Sequence, residues 1–183
     1  MNFTEKSHEI AAEFGGIKTA VDATLGGGRD ALFLASLDGC EKVYGFDIQP
    51  AALERSRRLL ESRGVAEKVE LFLTGHENMA QVLGADKRGK INCFFFNLGW
   101  LPNSDKSIAT RAETTLAALA AVSELADTFH CLLSILCYKA HSGGMAEFEA
   151  ARDFVRENFG AYESYTDPAN SRSPELIVVK LRG

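Results

Sequence analysis

Short apolar runs alternate along the chain with longer segments whose apolar residues recur at helical spacing. The short runs predict strands, because each is bounded by glycine or by polar turn residues. The longer segments predict helices, because their apolar positions share one face. We therefore expect strands at residues 18–23, 42–47, 69–73, 91–96, 131–138, 161–166 and 176–181. Helices are expected at residues 4–14, 29–37, 50–62, 77–83, 111–128 and 145–158.

This alternation predicts an α/β fold with a doubly wound, Rossmann-like sheet of seven mostly parallel strands. Right-handed crossovers place helices on both faces of such a sheet. The last two predicted strands have no helix between them, so one strand is expected to run antiparallel. With 183 residues, the chain is expected to form a single domain, 1–183, in which residues 1–16 carry an N-terminal helix.

Composition and charge narrow the classes of function. The hydrophobic fraction of 46% is typical of a soluble globular protein, and no apolar run reaches the about 18 residues of a membrane helix. The four cysteines are scattered and form no C-x-x-C pair, so we expect free thiols, a cytoplasmic location and no metal site. The net charge of −5 argues against a surface that coats nucleic acid. It still permits a structured RNA bound through a local basic patch.

The most informative stretch is the glycine-rich turn between the first predicted strand and the helix that follows it. Glycines let the backbone approach a ligand closely, and a helix start offers unpaired N–H groups to an anionic group. A nucleotide-type cofactor site is therefore predicted, with a plain loop and a dinucleotide (NAD) site as alternatives. The acid inside the strand end disfavours NAD, and the D-x-T-x-G-x-G pattern resembles the first motif of class I S-adenosylmethionine (SAM) methyltransferases. The cofactor-binding candidates in this turn are Asp22, Gly26, Gly27, Gly28 and Asp30.

The next two strands also end in polar residues that a nucleoside cofactor could use. Asp47 ends the second strand, where its carboxylate could accept hydrogen bonds from ribose hydroxyls, and Gln49 could touch the ribose or adenine. A helix cap before Pro50 is the alternative for Asp47. Gly75 and His76 follow the third strand, where the adenine edge would lie. His76 could equally be an ordinary histidine, and Asp30 could simply be a favourable charge at a helix N-terminus.

The fourth predicted strand leads into Asn97-Leu98-Gly99-Trp100-Leu101-Pro102. This segment is similar to the N-P-P-Y loop of amino-methylating enzymes, although the first proline is missing. The resemblance implies that the Asn97 side-chain carbonyl and the Leu98 backbone carbonyl accept hydrogen bonds from the target amine. Trp100 could stack on a base. A turn with a packed tryptophan is the alternative.

Basic residues are expected around the mouth of this site, where they could contact phosphates. Each of them could instead be an ordinary surface charge. The substrate-binding candidates, with Trp100, are Lys106, Arg111, Lys139 and His141, and Arg172 could join them.

The chain also resembles a family of small bacterial SAM-dependent methylases, the MnmM (YtqB) type, long labelled rRNA methylases. The resemblance covers nearly the whole chain. Two positions depart from the family pattern: Gly27 stands where Asn is common, and Gly75 stands where Ser is frequent. The motifs that carry the resemblance are His8, Asp22 to Asp30, Phe46-Asp47-Ile48-Gln49, Gly75-His76-Glu77, Asn97 to Pro102, Glu113-Thr114-Thr115, Tyr138 to Gly144 and Pro174-Glu175-Leu176.

This resemblance implies the class I SAM methyltransferase fold, SAM as cofactor and tRNA as partner. It implies methylation of the aminomethyl group of a modified wobble uridine in tRNA. Three alternatives stay open: a methyltransferase that acts on rRNA or a small molecule, an NAD-dependent oxidoreductase, and a non-catalytic RNA- or protein-binding module. A homodimer is also possible, because the alanine-rich face of residues 116–125 could pack in the core or against a second copy.

Overall fold

The structure, a computed structural model, describes residues 2–100, 109–170 and 172–182. Its strands are β1 (Thr19–Asp22), β2 (Lys42–Asp47), β3 (Val69–Leu73), β4 (Cys93–Leu98), β5 (His130–Cys137), β6 (Glu163–Thr166) and β7 (Glu175–Arg182). Its α-helices are α1 (Phe3–Phe14), α2 (Arg29–Ser36), α3 (Pro50–Ser62), α4 (Met79–Leu83), α5 (Ala112–Leu125) and α6 (Gly144–Asn158). Short 3-10 turns lie at Ala66–Lys68, His76–Asn78 and Ala85–Lys87.

The strands form one seven-stranded sheet in the order β3-β2-β1-β4-β5-β7-β6. Neighbouring pairs from β3 to β5 are parallel, and β7 runs antiparallel between β5 and β6. The predicted doubly wound sheet with one antiparallel strand is therefore confirmed. The strand order reverses between β1 and β4, and ligands in open α/β sheets bind in the crevice at the carboxyl ends of strands beside such a reversal.

Alternation along β4 divides the core between the two faces of the sheet. Phe94 and Phe96 pack with buried residues of α5 and α6 on one face. Cys93 and Phe95 pack with buried residues of α1, α2 and α3 on the other. Successive strand residues point to opposite faces, so a strand covered on both sides is apolar throughout, as the sequence of β4 predicts.

Helix α1 is fixed to the sheet by the segment that follows it. The side chain of Asn92, just before β4, accepts hydrogen bonds from the backbone N–H groups of Lys18 and Thr19, both at 3.0 Å. It also donates to the carbonyl of Gly16, at 3.0 Å. Asn92 is buried at the amino-terminal edge of the sheet, opposite the crevice, so one amide links α1 to two central strands.

Two predicted boundaries differ in ways that affect the site. Helix α1 begins at Phe3, one residue before the predicted start, because the side-chain oxygen of Asn2 caps it. Strand β4 continues to Leu98, since its ladder with β5 extends to Cys137, so Asn97 lies within the strand and not after it. The four cysteines are free and buried. Over the described ranges, no helix has the length and apolar character needed to cross a membrane.

Candidate functional site

A cavity of about 1180 Å³ lies at the carboxyl ends of β1, β2 and β4. It is larger than the roughly 300–1,000 Å³ of a typical small-molecule site, so it can hold a cofactor together with part of a second molecule. Helix α1 contributes to its wall through Asn2, Thr4, Glu5 and His8. The sequence-predicted residues that line it are Gly26, Gly27, Asp30, Asp47, Gln49, Gly75, His76, Asn97, Trp100 and Arg111.

The glycine turn is pressed onto α3, and one of its glycines opens to the cavity. Gly26 and Gly28 have φ of 51° and 76°, in the left-handed region that favours glycine. A Cβ at Gly28 would come within 2.8 Å of Ser56 Cβ, so Gly28 shapes the turn and does not line the cavity. A Cβ at Gly27 would meet nothing within 4 Å. The turn thus presents bare backbone at Gly27, where a ligand can approach closely.

Asp22 does not reach the cavity, which corrects its predicted role as a cofactor contact. It is 1% exposed, and its two carboxyl oxygens accept hydrogen bonds from the backbone N–H groups of Thr24, at 3.3 Å, and Ala31, at 3.0 Å. Burial raises the pKa of Asp22 well above its ordinary range, and the nearby Asp30 carboxylate raises it further. Asp22 therefore holds the two sides of the glycine turn together, and in this way it positions the residues that line the cavity.

Asp47 joins the end of β2 to the glycine turn. One carboxylate oxygen accepts a hydrogen bond from the Gly26 N–H at 2.9 Å, and the other accepts from the Gln49 N–H at 2.8 Å. A carboxylate has about four acceptor positions, so each oxygen can still accept from a ligand hydroxyl. The alternative of a helix cap does not describe this residue, because Gln49 is the N-cap of α3. Asp47 is thus placed to bind a vicinal diol such as a ribose.

His76 lines the cavity and carries a buried acceptor. Its Nδ1 lies 3.2 Å from the carbonyl of Ala23, so Nδ1 carries the hydrogen and donates it. Its Nε2 is buried and has no hydrogen-bond partner among the described residues. Burial lowers the pKa of His76, which favours the neutral ring. A neutral Nε2 accepts hydrogen bonds, so the ring suits an amino group such as that of adenine.

Gly75, directly before His76, is tightly surrounded. A Cβ there would collide with the carboxylate of Glu77, which also lines the cavity. The serine frequent at this position in the resembled family would therefore require Glu77 to move.

Asn97 and Asp30 meet at the other end of the cavity. The Asn97 Nδ2 donates a hydrogen bond to the Asp30 Oδ2, and the backbone N–H of Asn97 donates to the Thr24 hydroxyl at 2.7 Å. The Asn97 Oδ1 is buried and has no partner among the residues that the structure describes. His8 Nε2 lies 2.7 Å from the second Asp30 oxygen. Asn97 therefore lines the cavity with its amide held in place, and the amide oxygen is a buried acceptor that no described residue uses.

Leu98 is not brought to the cavity, contrary to prediction. It is fully buried, and its carbonyl accepts a hydrogen bond from the Tyr138 N–H at 3.0 Å as the β4–β5 ladder ends. The next carbonyl, of Gly99, accepts from the Thr110 N–H at 2.9 Å. Trp100 forms an antiparallel bridge with Ala109 and lines the cavity. The second carbonyl of an N-P-P-Y-type pair is thus engaged within the sheet.

Two of the predicted basic contacts are buried elsewhere, which corrects their assignment. Lys139 Nζ forms an ion pair with Glu175 at 2.9 Å, and only 7% of its side chain is exposed. His141 is also buried, 3.9 Å from the carboxylate of Glu147, and its ring meets Trp100 edge-on with centroids 5.2 Å apart. Neither lines the cavity. Lys106 lies outside the described residues.

Arginines that the sequence analysis did not propose stand at the rim. Arg29 and Arg55 are exposed and line the cavity together with the predicted Arg111. None of these three arginines forms an ion pair within the described part of the chain. The α1 residues were also missed, although a polar stripe of Thr4, Glu5 and His8 opposite the apolar face of the helix was a usable signal.

Comparison with known proteins finds methylases and methyltransferases. A family model described as "Putative rRNA methylase" matches residues 43–166. The chain is 37% identical over 145 residues to the chloroplastic tRNA (mnm(5)s(2)U34)-methyltransferase of Arabidopsis thaliana. That match covers 74% of this chain and 52% of the relative. A ribosomal protein L11 methyltransferase of Vibrio campbellii is 44% identical over 69 residues, which cover 38% of this chain and 22% of that protein. The chain thus spans about half or less of these curated relatives.

Solved structures of similar length match over nearly the whole chain. A "putative rRNA-methylase" of Clostridium thermocellum has 30% identity and a TM-score of 0.84, with 98% of each chain covered. A "putative methyltransferase" of Streptococcus mutans, solved in complex with SAH, has 30% identity and a TM-score of 0.82, with 97% and 96% covered. The fold is therefore that of the class I SAM-dependent methyltransferases, and the cofactor of this fold is SAM.

Proposed function

Because the chain belongs to the family described as "Putative rRNA methylase", we propose that it is a SAM-dependent N-methyltransferase. Its proposed substrate is the aminomethyl group of a modified wobble uridine in tRNA. The observation that carries this proposal is the Asn97 Oδ1, a buried acceptor without a partner among the described residues, on a residue that lines the cavity. A buried acceptor costs free energy until a donor reaches it, and the N–H of an amine is such a donor.

The residues at the other end of the cavity fit the cofactor. Asp47 would hold the ribose hydroxyls, and the neutral His76 Nε2 would accept from the adenine amino group. Gly27 leaves room for the cofactor beside the turn. When bound, SAM supplies a methyl group on a positively charged sulfur, which keeps the C–S electron pair when an acceptor nitrogen attacks.

The chain itself has to orient the acceptor nitrogen and keep its lone pair free. An N–H donated to Asn97 Oδ1 turns the amine so that its lone pair faces away from the amide. Fixing the attack geometry in this way can contribute a large share of the rate enhancement, because the methyl group needs no further activation. An amine that arrives as an ammonium ion first loses one proton to solvent, and the product leaves as a secondary ammonium ion.

Three features support tRNA as the source of the amine. The Arabidopsis relative is named for a wobble-position tRNA modification. The rim carries three exposed arginines, Arg29, Arg55 and Arg111, on a chain whose net charge is −5. Exposed arginines gathered at one cavity of an acidic protein would favour one structured RNA over general nucleic-acid binding. Trp100 offers a ring at the cavity for stacking on a base.

A cytoplasmic location, a single domain over 1–183 and a homodimer stay predictions.

The proposal is tested by methyl transfer from labelled SAM to bulk bacterial tRNA, followed by mass spectrometry of the nucleosides. We expect label in a methylaminomethyl uridine at the wobble position. Asn97→Ala should bind SAM normally and lower the turnover by about 100-fold, since it removes the fixed acceptor. Label found only in rRNA or in a small molecule would support the alternative methyltransferase. Absence of SAM binding would overturn the enzyme proposal.

A further inference from the structure

The N-terminal helix α1 reaches the reacting end of the cavity through one side chain. We propose that His8 is a positioning residue: it acts through Asp30 to hold the Asn97 amide with its oxygen, and not its nitrogen, toward the methyl acceptor. This inference rests on the proposed function, because it assumes that the acceptor is an amine with an N–H to donate. It assigns a role to a helix that lies outside the glycine and strand-end motifs.

The contacts of His8 hold its ring in one orientation. Its ring stacks on Phe33 of α2 with centroids 3.8 Å apart and planes 2° apart. Its Nε2 lies 2.7 Å from Asp30 Oδ1. The His8 side chain is 22% exposed and that of Asp30 is 8% exposed, so the hydrogen bond is largely shielded from water. A shielded bond to a carboxylate is stronger than the same bond in solvent.

Asp30 uses one oxygen for His8 and the other for Asn97. An ionised carboxylate only accepts hydrogen bonds, so the group of Asn97 that faces it must be the NH₂. The amide oxygen is then left without a partner among the described residues. A reversed amide would place two oxygens against each other, and its NH₂ would donate to the amine lone pair that has to attack.

His8 controls this arrangement by fixing Asp30. Asp30 lies in the first turn of α2, where its carboxylate could otherwise rotate toward the unpaired N–H groups of the helix start. A donor on α1 holds one oxygen in place, and the second oxygen then faces Asn97. The backbone of Asn97 is already held by Thr24, so the amide plane is the freedom that remains.

Two matched variants separate the hydrogen bond from the ring. His8→Phe keeps a ring that can stack on Phe33 but loses the donor, whereas His8→Gln keeps an N–H donor. We expect His8→Phe to lower kcat for tRNA by roughly 10- to 100-fold, because small errors in acceptor placement have effects of this size. SAM affinity should stay within about threefold, and His8→Gln should regain most of the lost turnover. Wild-type kcat in His8→Phe would overturn the inference, as would a parallel loss of SAM affinity.

A readout on the free protein does not depend on catalysis. The side-chain NH₂ of Asn97 is identified in nuclear magnetic resonance spectra by its absence from Asn97→Asp. We expect slow hydrogen exchange of this NH₂ in the wild type and in His8→Gln, and faster exchange in His8→Phe. Equal exchange in all three would overturn the inference even if tRNA is methylated.

The same readout separates the two proposals. If tRNA is not methylated at all but the exchange difference is found, the amine function fails and the coupling of His8 to Asn97 stands. Thermal unfolding of each variant shows whether it is folded. If His8→Phe does not fold, His8→Leu serves as the donor-free variant, with the same expected losses.

Discussion

The two ends of the cavity are built in different ways. At the proposed cofactor end, Asp47 binds two backbone N–H groups and His76 binds a backbone carbonyl. The hydrogen bonds there therefore join side chains to the main chain. At the proposed acceptor end, Asp30 binds both His8 and Asn97, so the hydrogen bonds there join one side chain to another. We expect the first end to tolerate substitutions that preserve the glycine turn. The second end depends on the relative positions of α1, α2 and β4, which carry His8, Asp30 and Asn97.

This difference predicts how each end fails. A defect at the cofactor end should remove binding, because its groups face the ligand directly. A defect at the acceptor end should leave binding intact and remove turnover, because its groups fix an orientation that matters only in the transition state. The adjacent residues Ala23 and Thr24 link the two ends, since the Ala23 carbonyl accepts from His76 Nδ1 and the Thr24 hydroxyl accepts from the Asn97 N–H.

The largest expected effect is at Asp47. Asp47→Ala removes the carboxylate for the ribose and also the acceptor for the Gly26 N–H, so the turn loses its anchor. Each charge-assisted hydrogen bond contributes about 1.5–3 kcal/mol, so SAM affinity should fall by at least about 100-fold. Calorimetric titration with SAM measures this. The exposed Asp38, which does not line the cavity, provides the control Asp38→Ala. Unchanged SAM affinity in Asp47→Ala would show that the cofactor lies elsewhere.

A smaller effect is expected at the rim. Arg55→Glu should raise the KM for tRNA by about three- to tenfold and reduce the salt dependence of binding by about one counterion, because a phosphate contact is lost. SAM affinity should not change. Arg57 is exposed on the same helix but does not line the cavity, so Arg57→Glu is the matched control for a general charge effect. Equal effects of both substitutions would mean that the rim has no specific contact with RNA.

The smallest expected effect is the pH dependence that His76 contributes. Its pKa is lowered from 6.5 by burial, so below that value the unfolded chain takes up a proton before the folded chain does. The stability contributed by the neutral ring is therefore present above 6.5 and is lost as the pH falls through the lowered pKa. Thermal unfolding from about pH 7.5 to about pH 5.5 should show a larger drop for the wild type than for His76→Gln. Parallel curves would show that His76 does not titrate in this window.

Much of the cofactor end could be predicted from the sequence, because its groups are local to strand ends. Gly26, Gly27 and Asp47 follow or end strands β1 and β2, and the rule that ligands bind at carboxyl ends of strands is enough to bring them together. Even here, Asp22 was predicted to contact the cofactor, whereas the structure shows it bound to the turn itself. The sequence shows an acid before the glycines, but not that two backbone N–H groups occupy it.

The acceptor end could be predicted only in part, because it depends on tertiary contacts. The polar stripe of Thr4, Glu5 and His8 marks a second face of α1 but does not show what that face meets, so His8 was noticed as a motif residue without a role. The Leu98 carbonyl was misassigned because β4 extends by two residues and keeps that carbonyl in its ladder. Lys139 was misassigned because its acidic partner, Glu175, is far along the chain and adjacent only through the antiparallel β7.

Asn92 connects the position of His8 to the opposite edge of the sheet. It lies at the edge away from the cavity, yet its amide holds the segment that connects α1, and so His8, to β1. Evolutionary drift or directed evolution that alters this one amide would therefore reach the methyl acceptor through a helix displacement. Selection on turnover would then act on a residue that does not line the cavity.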